Sequence, residues 1–343
     1  MPPGMGSATT RVARRAASAS LLFPPMTDSN AARPPRLPRR DVHGVLLLDK
    51  PLGLSSNDAL VRAKRLLRAN KAGHTGTLDP LATGLLPLCF GEATKFSQDL
   101  LEADKTYDAV VRLGARSSTG DAEGELLDVR EVTCDRAAVE QALVRFTGEI
   151  EQVPPMHSAL KKDGRPLYEY ARAGQTVERA ARRVTIHAIE LLDCALPPAF
   201  TTAAFTMRVT CSKGTYIRTL AEDIGEALGC GAHLTGLRRI AVGDLTLDGA
   251  VTLEQIEHQD DAARPGMLAP VDALLQKSPP VTLDEAAASR FLQGQRIARR
   301  DLPEGTDIAE GVLARVYAGA PARLLGVARM REGALRPERL VKL

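Results

Sequence analysis

FTMRVTCSKGTYIRTLAEDIGEALG, residues 205–229, holds a strand, a break and a helix in succession. Phe205, Met207, Val209 and Cys211 alternate with more polar residues, the period of a strand with one buried face. Lys213-Gly214 interrupt that period. Ile217, Leu220, Ala221, Ile224 and Leu228 then recur at helical spacing, and Gly229 stands where a helix end takes a left-handed φ. Tyr107, Ala109, Val111 and Leu113 form a second alternating run, and Val184, Ile186 and Ala188 a third. Upstream, Val45-Leu46-Leu47-Leu48 reads as a buried strand stopped by Lys50-Pro51 and Gly53. Ser55-x-x-Asp58 has capping-box form ahead of Leu60, Ala63 and Leu67. Strands and helices mix without regular βαβ alternation. The predicted class is therefore α+β: a largely antiparallel mixed sheet with flanking helices over 41–256. Residues 257–280, polar and proline-bearing, read as a linker to a small β-rich domain over 281–343.

The 343 residues carry 45 Lys+Arg against 42 Asp+Glu, and only 3% are aromatic, with no Trp. An aromatic platform stacking many bases is excluded by that shortage. Five cysteines without a C-x-x-C pair argue against a disulfide scaffold or zinc site and for a reducing compartment. No apolar run reaches the ~18 residues of a membrane span, so no membrane role is expected. Six histidines contain no H-x-x-x-H pair, so no metal is expected. No phosphate-binding glycine motif appears, so no cofactor is expected either. The net charge of +3 hides an uneven distribution. Residues 1–40, rich in Arg and Pro, carry +6, and residues 50–71 carry +5. The tail buries too little apolar surface to order itself and is expected to be disordered. It reads as an RNA-tethering arm, an over-long start ahead of Met26, or an organelle transit peptide. Cytoplasmic location is the expectation unless the last reading holds. On the helix after Ser55, Arg62, Lys64, Arg65 and Arg68 are candidates for phosphate contacts, against the plainer reading of a solvated face.

GHTGTLDPLATG, residues 73–84, is the most unusual segment. Its glycines allow close approach of backbone to a ligand. Pro80 suits the first position of a short helix, which would make Asp79 an ordinary N-cap. The same placement would present an ionised carboxylate at a helix N-terminus, as a nucleophile requires. His74 reads either as a surface loop residue or as a wedge replacing a base that leaves its stack. Tyr107 and Tyr216 stand out because tyrosine is scarce, and Arg218 follows in the same turn as Tyr216.

GVLLLDKPLGLSSNDAL (44–60), AGHTGTLDPLATGLLPLCFGEATK (72–95) and CSKGTYIRTLAEDIGEALGCGAHLTGLRR (211–239) together resemble the TruB family of tRNA pseudouridine synthases. FLQGQRI (291–297) resembles that family's C-terminal PUA-like RNA-binding module. The resemblance implies the pseudouridine synthase fold and a monomer. The implied activity is cofactor-free isomerisation of uridine 55 in the TΨC loop of tRNA, by glycosidic cleavage, base rotation and reattachment through C5. It implies that Asp79 is the nucleophile, whether by attack at C1′ or through abstraction at C2′. Tyr107 would stack on the target base and remove the C5 proton, and Arg218 would pair with Asp79. Tyr216 would shape the pocket, Leu237 line its wall and Lys50 support the active-site loop. His74 would enter the T-loop when the target flips. One departure stands in PPMHSALKKDG (154–164), where the family usually has Tyr and this chain has His157.

Two other classes fit parts of the pattern. A non-catalytic tRNA-binding folding factor would use the same cleft without Asp79 chemistry. A nucleoside hydrolase would release free uracil and need no structured RNA.

Overall fold

The computed structural model describes residues 38–197 and 203–342. Residues 1–37 of the tail expected to be disordered lie outside them. At the tail's end the expectation fails: Arg40 is not loose. Its backbone pairs with Ala69, and its guanidinium donates to the carbonyls of Leu67 and Asp261. This residue is held by five hydrogen bonds, two through its backbone and three through its guanidinium.

The main sheet is built from β1 (Gly44–Lys50), β2 (Ala72–His74), β3 (Ala82–Phe90), β4 (Lys105–Leu113), β5 (Gly148–Gln152), β6 (Arg182–Ala195), β7 (Ala204–Cys211) and β8 (Ala232–Val242). Their order is β1-β3-β8-β4-β7-β6-β5, with β2 paired to β3 and the short strand Leu245–Thr246 to β8. Within this sheet only β3 and β8 run parallel; every other pairing is antiparallel. Helix α1 (Ser56–Leu66) starts at Ser55, whose side chain accepts from the Asp58 amide, and buries Ala59 and Ala63. Helices α2 (Arg136–Arg145) and α3 (Ile217–Ala227) cover the other half of the sheet. The apolar stripe read from 217–228 is buried through Ile217, Leu220, Ala221 and Ile224 against Val111, Phe205, Met207 and Leu234.

One period was misphased. Val184 and Ile186 are buried, but Ala188 is exposed. A bulge between Ile186 and Ala188 adds a residue, so Ile189 and Leu191 turn to the core instead.

The second sheet has β9 (Pro280–Leu283), β10 (Ile297–Ala298), β11 (Leu313–Ala318), β12 (Arg323–Arg331) and β13 (Ala334–Leu340), in the order β9-β11-β12-β13-β10. Helix α4 (Glu285–Leu292) seats Phe291 in its core. The two sheets share apolar surface. Val45, Cys89 and Phe96 meet Leu324, Val327 and Val341, with Val271 and Leu275 of the expected linker packed between them. Among the described residues no helix is long and apolar enough to cross a membrane, and no cluster of His, Cys, Asp and Glu could hold a metal ion.

Candidate active site

Asp79 does not cap a helix. Its carbonyl accepts from the Ala82 amide at 3.0 Å, closing a turn that runs straight into β3. The apolar run from Leu85 to Phe90 is claimed by the sheet, and that long-range pairing overrides the local helix signal of Asp-Pro. No helix begins at this carboxylate.

A guanidinium does. Arg218, in the first turn of α3, places Nη2 2.9 Å from Oδ2 of Asp79. The arginine side chain is 7% exposed and the aspartate 41%, so a fixed cation holds a carboxylate that faces open space. Each nitrogen of the fork has a partner. Nη1 donates to the Thr119 carbonyl at 3.0 Å, Nη2 to the His157 carbonyl at 2.7 Å, and Nε lies 3.7 Å from Oδ2 of buried Asp121. His157 thus meets Arg218 through its backbone, and that contact is indifferent to the side chain at 157.

The space Asp79 faces is a cavity of about 430 Å³. Tyr107, Tyr216, Arg218 and Leu237 share its lining with Asp79. Sheet register explains the convergence. Tyr107 on β4 lies opposite Arg239 on β8, Ala109 opposite Leu237, and Leu237 opposite Ala82 at the start of β3. Leu237 and Tyr107 therefore stand on the face toward which the Asp79 turn opens. Tyr216 is fixed at the head of α3, where Gln152 accepts from its amide and donates to its carbonyl. Burial pushes the phenols of Tyr107 and Tyr216 above their ordinary pKa, so both stay neutral at physiological pH.

Lys50 and His74 stand behind the lining. Lys50 is fully buried, and its ammonium donates to the carbonyls of Pro51 at 2.9 Å and Leu54 at 2.6 Å. That loop is tied in turn to the Asp79 turn. Gly53 donates to the Pro80 carbonyl, and the Ser56 hydroxyl both donates to the Leu78 carbonyl and accepts from its amide. Burial brings the Lys50 pKa down to about 8. His74, on β2, is half-buried with Nδ1 unpartnered, and burial lowers its pKa.

Two lining cations escaped sequence reading. Arg239 is 1% exposed; its Nε donates to the Leu85 carbonyl at 2.8 Å and Nη2 to the Gly76 carbonyl at 3.2 Å, and it lies across the strand pair from Tyr107. Lys105 opens β4. Arg238-Arg239 reads as surface charge. Only the strand period, counted on from Leu237, would have turned Arg239 inward. Of the four candidate phosphate contacts, Arg62 and Arg65 are exposed and Lys64 half-buried, while Arg68 is paired with Asp261 at 2.7 Å.

The family model described as "TruB family pseudouridylate synthase (N terminal domain)" matches residues 64–217. Models of the "tRNA pseudouridylate synthase B C-terminal domain" and of "Pseudouridine synthase II TruB, C-terminal" match 218–276 and 279–341. The tRNA pseudouridine synthase B of Cupriavidus taiwanensis is 89% identical over 318 residues, covering 93% of this chain and all of that one. Its counterpart in Cupriavidus metallidurans is 82% identical over 319 residues, with the same coverage. Among solved structures, an H/ACA RNP bound to a substrate RNA containing 2′-deoxyuridine superimposes with a TM-score of 0.64 at 24% identity, over 92% of this chain and 93% of that one. That likeness bears on the fold. Identity of this extent over nearly the whole chain, with family models matching residues 64–276 and 279–341, makes this protein a member of the TruB family of pseudouridylate synthases, and so an isomerase.

Proposed function

We propose that the chain converts uridine 55 in the TΨC loop of tRNA to pseudouridine, with Asp79 as nucleophile. The observation that carries this reading is the Arg218–Asp79 contact at the mouth of a cavity with room for one nucleotide. The names of the relatives, tRNA pseudouridine synthase B, support tRNA as the RNA.

Isomerisation needs a group that holds the ribose while the base turns, as a carboxylate does in retaining glycosidases. Asp79 is the one carboxylate lining the cavity among the described residues. Arg218 keeps it aimed and stays put because two backbone carbonyls hold its fork. The uridine must leave its stack to reach Asp79, which costs a few kcal/mol. Tyr107 offers a flat neutral face to the flipped base, and Leu237 and Tyr216 close the walls around it. His74 fills the gap left in the loop, and Lys50 steadies the 51–56 segment against the Asp79 turn. RNA is engaged by shape and phosphate contacts, for which exposed Arg62 and Arg65 and half-buried Lys64 are the candidates.

The test is release of tritium from C5 of the target uridine in a T-stem-loop RNA. Asp79→Asn keeps RNA binding and loses release by at least ~10⁴-fold, the scale of removing a covalent nucleophile. Near-normal turnover in that variant would overturn the mechanism, and free uracil among the products would replace isomerisation by hydrolysis.

A further inference from the structure

Among the described residues the cavity wall carries three cations, Lys105, Arg218 and Arg239, against a single carboxylate. Arg218 is committed to Asp79 and two carbonyls, and Arg239 donates to two carbonyls. Lys105 is the lysine of the three. It is 8% exposed, and its ammonium donates to the carbonyls of Leu101, at 2.9 Å, and Ala103. An ammonium has three donors. One N–H is therefore left without a protein partner among the described residues, on a side chain that lines the cavity. Burial and the nearby Arg239 disfavour its charge more than Cys211 and Asp104 favour it. A desolvated cation with an open donor is costly to keep unless negative charge arrives beside it.

The reaction generates such a charge. Breaking the N1–C1′ bond leaves the electron pair on the uracil ring, spread over N1, O2 and O4, while C1′ bonds to an Asp79 carboxylate oxygen. The ring turns, C5 bonds to C1′, and the C1′–oxygen bond breaks, returning its pair to Asp79. C5 loses its proton to solvent and N1 gains one, so atoms and charge balance. We propose that Lys105 is a further catalytic residue, donating its open N–H to the detached uracil anion. The proposal rests on the assignment of Asp79 above. The two carbonyls pre-orient the ammonium, so no reorganisation is needed as the charge develops.

The experiment is single-turnover conversion by the full chain, at saturating enzyme, of T-stem-loop RNA bearing uridine or 5-fluorouridine at the target. Loss of the N1-linked nucleoside is read after digestion. Fluorine makes the departing ring a more stable anion that depends less on a protein donor. Wild-type conversion of uridine and its loss in Asp79→Asn test the nucleophile separately. Lys105→Met is expected to slow the uridine substrate by about 100-fold, the scale of losing one oxyanion donor, and the 5-fluorouridine substrate by only about tenfold. RNA affinity is expected to be unchanged. Lys105→Gln, which keeps a hydrogen-bond donor without the charge, is read by the same ratio should the Met variant fold poorly. Equal deficits on both substrates would overturn the proposal, leaving Lys105 as a brace for the Leu101–Ala103 segment. A loss confined to RNA affinity would overturn it in favour of a phosphate contact.

Discussion

Lys50 is a lysine with no exposed surface, and its ammonium donates to carbonyls of its own loop. Burial sets its pKa near 8 against an ordinary 10.5. A folded-state value below the unfolded one means that the unfolded chain binds more protons between those limits. Stability contributed by this group therefore rises as pH climbs from about 8 to about 10.5 and is absent below it. The difference in unfolding free energy between wild type and Lys50→Met should grow in wild type's favour over that window, by on the order of 3 kcal/mol. Urea titrations at pH 7.5, 9 and 10.5 measure it, and a flat difference would refute the assignment. The buried cations also mark where sequence reading stopped. Asp79, Tyr107 and Arg218 were legible because motif and scarcity point to them. Lys105 and Arg239 were not, because a charged residue on a strand reads as solvent-facing until the fold supplies carbonyls to receive it.

At the scale of elements, the parallel contact of β3 with β8 is what places Leu237 and Arg239 beside the Asp79 turn. Gly84 makes that contact possible. It has a φ of +96°, and a Cβ there would run into the backbone of Arg239. Gly84→Ala should force the strands apart, lowering stability by about 2–3 kcal/mol as overpacking does, and should slow turnover more than it weakens RNA binding. Denaturant midpoints and single-turnover rates test both halves, and unchanged turnover would show that the strand spacing is not what sets the site. Strand existence was readable here from period-two alternation, and α1 and α3 from caps and apolar stripes. Two local features were not. The bulge at Ala188 and the strand that follows Asp-Pro are imposed by partners far along the chain, which no window of neighbours contains.

For the whole molecule, the apolar surface shared by the two sheets makes them depend on each other. Val327 is 2% exposed at the centre of that surface. Val327→Asp would bury an unpaired charge there and cost several kcal/mol. The expected outcome is that one cooperative unfolding transition becomes two, with the second sheet melting first. Hydrogen exchange resolved by segment distinguishes the two sheets, and a single unaltered transition would count against their coupling. The polar, proline-bearing composition of 257–280 concealed this, since Val271 and Leu275 are too sparse to register as core until both sheets flank them.

Asp79, Tyr107, Arg218 and Leu237 are drawn from four segments of chain, and the strand carrying the last of them ends at Val242. β8 is central to the sheet, seated between β3 and β4. During synthesis the earlier strands therefore emerge with a gap where β8 must insert, and β4 cannot be joined to β3 until it does. The cavity comes into being in one late event, after Val242 has left the ribosome, and no shorter nascent chain holds it complete.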